Sequence, residues 1–216
     1  MSRQEMAAGS LPSASGPESL GATLRTIFHV NGHLIRLAVE LSQSHAADRQ
    51  SESLAQLGRI LKSAEPGALD HVSRCPFLLV EAGFRDPARW IAARDSLGRS
   101  TSASDSAPPP GGGKILSLAR STMLVAWHVA QLSPLDADLV LGATADCAAV
   151  LASLSLPQME ELAERHSDWV RPRWELRLDR WERLVRLAST SRHPSSAVAR
   201  CALSLFRGEL SGEPAP

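Results

Sequence analysis

From Ala22 to Ser42 the apolar residues Leu24, Ile27, Phe28, Leu34, Ile35, Ala38 and Leu41 recur at helical spacing. Arg25, His29, Arg36 and Glu40 fall on the opposite side. This predicts a long amphipathic helix that tolerates Gly32. Leu54, Leu57, Ile60 and Leu61 predict a second helix over Ser53–Lys62, ended by the proline of "SAEPG". "GALDHVSR" predicts a short third. "CPFLLVEAGF", Cys75 to Phe84, is a continuous apolar run, and periodicity alone leaves it as either a strand or a buried extended segment. "RDPARWIAARDSL" adds one or two more helical turns.

Periodicity then stops. Asp95 to Gly113, "DSLGRSTSASDSAPPPGGG", holds five Ser, four Gly and three Pro and reads as a flexible linker. Its "GGGK" is no phosphate loop, because Ile115 follows Lys114 where Ser or Thr is required. Beyond it the pattern restarts. A long helix is expected over Lys114–Ser133, with Ile115, Leu118, Ala119, Leu124, Val125, Val129 and Leu132 on one side, and a second over Ala143–Leu154. Ser155 and Gln158 form S-x-x-Q with Pro157 in the first turn, which predicts a capped helix through His166. Trp174, Leu178, Trp181 and Val185 predict a fourth helix over Trp174–Ala188. A last helix is expected from Ser196, capped by Ser195 or Ser196.

The second half repeats the first. A shift of 91 residues places Leu24, Ile27, Leu34, Leu41 and Ser42 on Ile115, Leu118, Val125, Leu132 and Ser133, and Trp90 on Trp181. A shift of 90 places Leu61, Ser63 and Leu69 on Leu151, Ser153 and Met159. The period is too long for a solenoid, whose repeats run about 20–50 residues. The expected organisation is a disordered tail at 1–21, a helical repeat at 22–94, the linker at 95–113, a second repeat at 114–206 and a disordered tail at 207–216. The fold class is all-α: two small helical domains packed as an intramolecular pseudo-dimer, with the long helices together and Ile27, Leu34, Val125 and Leu132 buried between them.

Composition changes the picture only by exclusion. Apolar residues make up 44% of 216, enough for a core. Lys and Arg total 23 against 23 Asp and Glu, so a solo nucleic-acid binder is less expected than a helper subunit. Cys75, Cys147 and Cys201 are widely spaced and make no zinc pair; they read as thiols of a reducing cytoplasm. No signal-peptide run and no stretch of ~20 apolar residues is present, so a cytoplasmic chain is expected. His29 and His33 sit at i, i+4 but lack a third ligand, and read as a polar face. Asp86, His71 and scattered serines make no triad signature. No enzyme, cofactor, metal or small-molecule ligand is expected.

"LGATADCAAVLASLSLPQMEELAERHSDWVRPRW" resembles the FlhD family, the D subunit of the flagellar master transcriptional activator, in its LG, its LAxLxLPQM core, its LAE and its closing Arg–aromatic pair. "TIFHVNGHLIRLA" is similar to that family's opening helix. The resemblance implies an all-α intertwined dimer that activates transcription beside a DNA-binding, FlhC-like partner subunit, and reaches promoter DNA through it. The chain departs from the family in carrying two copies, and in having Val80, and Trp and Arg in the second copy, near the family's cysteine position. Six arginines stand between Arg171 and Arg186, against Glu175, Asp179 and Glu182. Arg173, Arg177 and Arg180 share one side of the expected helix and are the candidate nucleic-acid contacts; an internally paired, solvated face is the plainer reading. Glu160, Glu161 and Glu164 argue against a recognition helix there. The alternative function is a protein–protein adaptor or anti-activator, for instance a secretion-system regulator, without DNA contact.

Overall fold

Ile27, Leu34 and Ala38 lie on one stripe of helix α1 (Pro17–Leu41), and all three are wholly buried. Helix α2 (Arg49–Lys62) packs along α1. The approach is close because Gly58 has no side chain. A Cβ there would sit 1.9 Å from the Ala38 carbonyl oxygen and 2.9 Å from Ser42 Cβ. Gly58→Ala must push the two helices apart, and is expected to lower stability by about 1–3 kcal/mol in a urea titration. The computed structural model describes residues 17–43, 49–65, 67–97 and 112–211.

The short helix α3 (Ala68–Ser73) leads into the apolar run. Phe77, Leu78, Leu79 and Val80 are wholly buried and not helical, so their backbone polar groups need partners. Asn31, itself buried in α1, supplies two of them, and Val140 and Arg173 supply others. The Asn31 Nδ2 faces the carbonyls of Ser73, Cys75 and Phe77 at 3.2, 3.3 and 3.0 Å, and its Oδ1 accepts the Leu79 N–H at 2.8 Å. The run ends in strand β1 (Val80–Glu81), followed by α4 (Pro87–Ser96), whose first turn is capped by the Asp86 carboxylate accepting from the Arg89 N–H.

The second half opens with α5 (Gly112–Leu132). Between the expected helices lies a further one, α6 (Pro134–Leu141), which is capped by Ser133 and closed by Gly142 at φ 70°. Then follow α7 (Ala145–Ser153), capped by Thr144, and α8 (Leu156–Arg165). Ser155 begins α8 with both hydrogen bonds of a capping box: its Oγ accepts the Gln158 N–H, and its N–H donates to Gln158 Oε1 at 2.9 Å. Ser155→Ala is expected to cost about 0.5–2 kcal/mol. Coincident urea melts for variant and wild type would show that the cap contributes nothing.

A 3-10 turn (Ser167–Trp169), strand β2 (Arg171–Pro172), α9 (Leu178–Thr190) and α10 (Pro194–Ser211) complete the chain. The strands pair antiparallel, Val80 opposite Pro172 and Glu81 opposite Arg171. Apart from this ribbon the described residues are helical or irregular: the protein is all-α.

Helix α1 packs on α5 as well as on α2 and α3, and α5 packs on α6, α7 and α8. The flanking helices cross over. Helix α4, from the first half, packs on α7 and α8; α9, from the second, packs on α2 and α3, with α10 laid over α3 and α9. One contiguous apolar core includes residues from both halves.

Several boundaries differ from the sequence reading. Helix α1 begins at Pro17, inside the expected tail at 1–21. Helix α10 begins at Pro194 rather than after a serine cap, and continues to Ser211, inside the expected tail at 207–216. The continuation has a reason: Leu210 packs against the core and Glu209 binds two buried side chains. Of the expected linker, 98–111 lies outside the described residues, as do 1–16 and 212–216. Ile27, Leu34 and Val125 are buried as expected, but Leu132, in the last turn of α5, is half-exposed.

Candidate functional site

The three arginines singled out in the sequence do not share a surface. The helix expected from Trp174 begins only at Leu178, because residues 173–176 form a turn. Trp174 is left-handed there, at φ 59°, a conformation rare for a bulky side chain. It is held by its indole N–H donating to Glu209 at 2.6 Å and by edge contacts with Phe77 and Trp181.

Arg173 is 2% exposed. Its Nε donates to the Leu78 carbonyl at 2.9 Å and its Nη2 to the Leu141 carbonyl at 2.7 Å, while Nη1 pairs with Glu209 at 3.1 Å. Its guanidinium also lies over the Phe206 ring. Burial lowers its pKa, and Glu209 and Glu81 oppose that shift. Arg173 therefore ties the apolar run, the end of α6 and α10 together. At 2% exposure it lies beneath the surface rather than on the solvent-facing stripe expected for a nucleic-acid contact. Arg180 is 6% exposed, with its guanidinium over the Trp174 ring. Arg177 alone of the three is exposed, and it pairs with Asp179 at 3.0 Å.

Around the ribbon Arg177 and Arg180, but not Arg173, line a cleft of about 470 Å³, within the range of small-molecule pockets. Its walls include Trp169, Pro172 and Trp174, with the exposed Leu176 at the rim. The cleft also brings in Arg89, which sequence reasoning missed. Its guanidinium lies 4.1 Å from the centre of the Trp169 ring, which also stacks on the His166 ring at 4.3 Å and meets Trp90 edge-on at 5.3 Å. The signal for Arg89 was in the repeat, since a shift of 91 carries it onto Arg180.

The remaining candidates are structural. His71 shares a 2.8 Å hydrogen bond with Ser195, joining α3 to α10, while Asp86 caps α4; no triad forms among them. Among the described residues no group of three or more His, Cys, Asp or Glu is placed to hold a metal. Burial pushes the Cys75 thiol up to about 12, and raises Cys147 and Cys201 as well. Only Cys201 is partly exposed. Ellman's reagent at neutral pH is expected to label one thiol slowly in the folded chain and all three in urea; fast labelling of Cys75 would contradict its burial. Among the described residues no helix is long and apolar enough to cross a membrane. No family model, curated protein or solved structure matches this chain.

Proposed function

We propose that the chain is a tandem duplication folded as one intertwined pseudo-dimer. It acts without catalysis as a helical scaffold beside a DNA-binding partner subunit, as its resemblance to the FlhD family implies. The observation that carries the reading is the ribbon. A shift of 91 turns Val80 and Glu81 into Arg171 and Pro172, so the pairing Val80–Pro172 and Glu81–Arg171 is reciprocal. Reciprocal pairing is the signature of a two-fold axis.

The same shift carries the start of α4 onto that of α9, Trp90 onto Trp181, and left-handed Gly83 onto left-handed Trp174. It also matches the crossover, α4 on α7 and α8 answering α9 on α2 and α3. Crossed helices of this kind are what an intertwined dimer becomes when both subunits are joined in one chain.

A second reading, an adaptor or anti-activator without DNA contact, is favoured by one observation. Arg173 and Arg180 are buried and Arg177 is paired, so the arginine cluster offers little to a promoter. One experiment separates the two. The purified chain is mixed with an FlhC-like subunit and promoter DNA, and mobility is followed across a salt series. A supershifted complex supports the scaffold. Release of the subunit from DNA supports the anti-activator. A chain that neither joins nor displaces the subunit sinks both.

A further inference from the structure

We propose that the ribbon cleft is a binding site for a small oxyanion, the carboxylate or phosphate of a small molecule, with Arg89 and Arg180 as its two cationic contacts. The other charges around the cleft already have partners. Glu209 accepts from Arg173 and Trp174. Glu175 accepts from Arg171 and Ser53. Glu81 accepts the N–H groups of Gly83 and Phe84. Arg177 is held by Asp179. Arg89 and Arg180 are left with aromatic contacts only, and neither has a carboxylate in ion-pair contact.

Arg180 carries the inference. It is 6% exposed, and its buried Nε has no acceptor. A buried donor without an acceptor is costly, and the neighbouring Asp179 attracts Arg180 without reaching ion-pair contact. A guanidinium lining a cleft in that state is complementary to an oxyanion that enters the cleft. Its forked donors match two oxygens of a carboxylate or phosphate. Pro172 and the two indoles supply apolar walls for the body of such a molecule. The depth of Arg180 favours a small ligand over the backbone of a duplex, whose phosphates stay at the helix surface. Arg89 and Arg180 become equivalent residues related by the pseudo-two-fold axis if the duplication reading holds, but the site itself stands on the contacts above and not on that reading.

The test is titration of the full-length chain with inorganic phosphate and, separately, benzoate at constant ionic strength, read by the tryptophan indole N–H signals in NMR. Phosphate and benzoate distinguish a phosphorylated ligand from an aromatic carboxylate. The expected result is a saturable shift of Trp169 and Trp174 with one or both probes, while Trp127, hydrogen-bonded to Leu154 elsewhere, stays in place. Arg180→Met and Arg89→Met should each weaken that binding about tenfold or more. Arg59→Gln, the same charge change on exposed α2, should leave it within about twofold. Arg180→Met should also melt no lower than wild type in the absence of ligand, since it removes a buried charge outside ion-pair contact. If Arg180→Met does not fold, half-exposed Arg89 still decides. No saturation by either probe up to about tenfold above millimolar affinity, or affinity unchanged in the Arg89 and Arg180 variants alike, overturns the site. So does a duplex oligonucleotide that saturates the same signals more tightly than either probe.

Discussion

Arg173→Ala is expected to lower the unfolding free energy by about 3–5 kcal/mol, the usual effect of removing one partner from a buried ion pair. The guanidinium makes three side-chain hydrogen bonds to three separate parts of the fold: the Leu78 carbonyl, the Leu141 carbonyl and Glu209. Truncation leaves two buried carbonyls short of a donor and a carboxylate facing an apolar gap beside Phe206. It also loosens the turn that carries Trp174, because Glu209 binds both residues. Arg173→Lys should not restore stability, since one ammonium cannot span three directions that a planar fork reaches together. Urea unfolding followed by tryptophan fluorescence measures both variants. Had Arg173 been a surface phosphate contact, either substitution would change stability by no more than about 0.5 kcal/mol, and a result of that size would refute the structural role.

That residue also shows where sequence reading stopped. Arg173, Arg177 and Arg180 fit a helical stripe only if the helix starts before them. The chain instead turns at Trp174, in a backbone conformation that nothing about tryptophan announces. The turn is imposed from outside, by Glu209 some 36 residues later and by the pairing of β2 with a strand from the other half. Long-range contacts of that kind leave no local periodicity.

The amphipathic helices were legible because one face of each meets the core, so their period is written in the side chains. Ser155 and Gln158 were legible because a capping box closes within four residues. Helix α6 was not. It is short, with Leu135 and Leu139 exposed opposite Ala137, Val140 and Leu141 and with Asp136 and Asp138 between them, so its apolar residues form no single stripe. The cleft was hidden for a different reason. Its two unpaired arginines lie 91 residues apart, and only their shared place in the repeat relates them in sequence.

Neither half is expected to fold alone. This follows from the proposed duplication and is the sharpest test of it. In a chain ending at 97, the faces of α2 and α3 that meet α9 would be bare, as would the face of α1 that meets α5. In a chain starting at 112, α7 and α8 would lose α4, and with it Trp90, which is wholly buried in the intact protein. Each large apolar side chain returned to water costs about 1.5–3 kcal/mol. A domain with a total stability of about 5–15 kcal/mol loses its fold after a few such exposures. The halves expressed singly should therefore be insoluble or should pair with themselves, and co-expressed they should recombine one to one. Cutting the intact chain within 98–111 should leave the halves associated. It should lower their stability at ~10 μM by about 2.7 kcal/mol, the effect of exchanging a millimolar effective concentration for a hundredfold lower real one. Size-exclusion chromatography with light scattering, and melts before and after cleavage, would measure this. Two halves that each run as a monomer and melt cooperatively on their own would end the intertwined reading, and the duplication would then describe two ordinary domains in tandem.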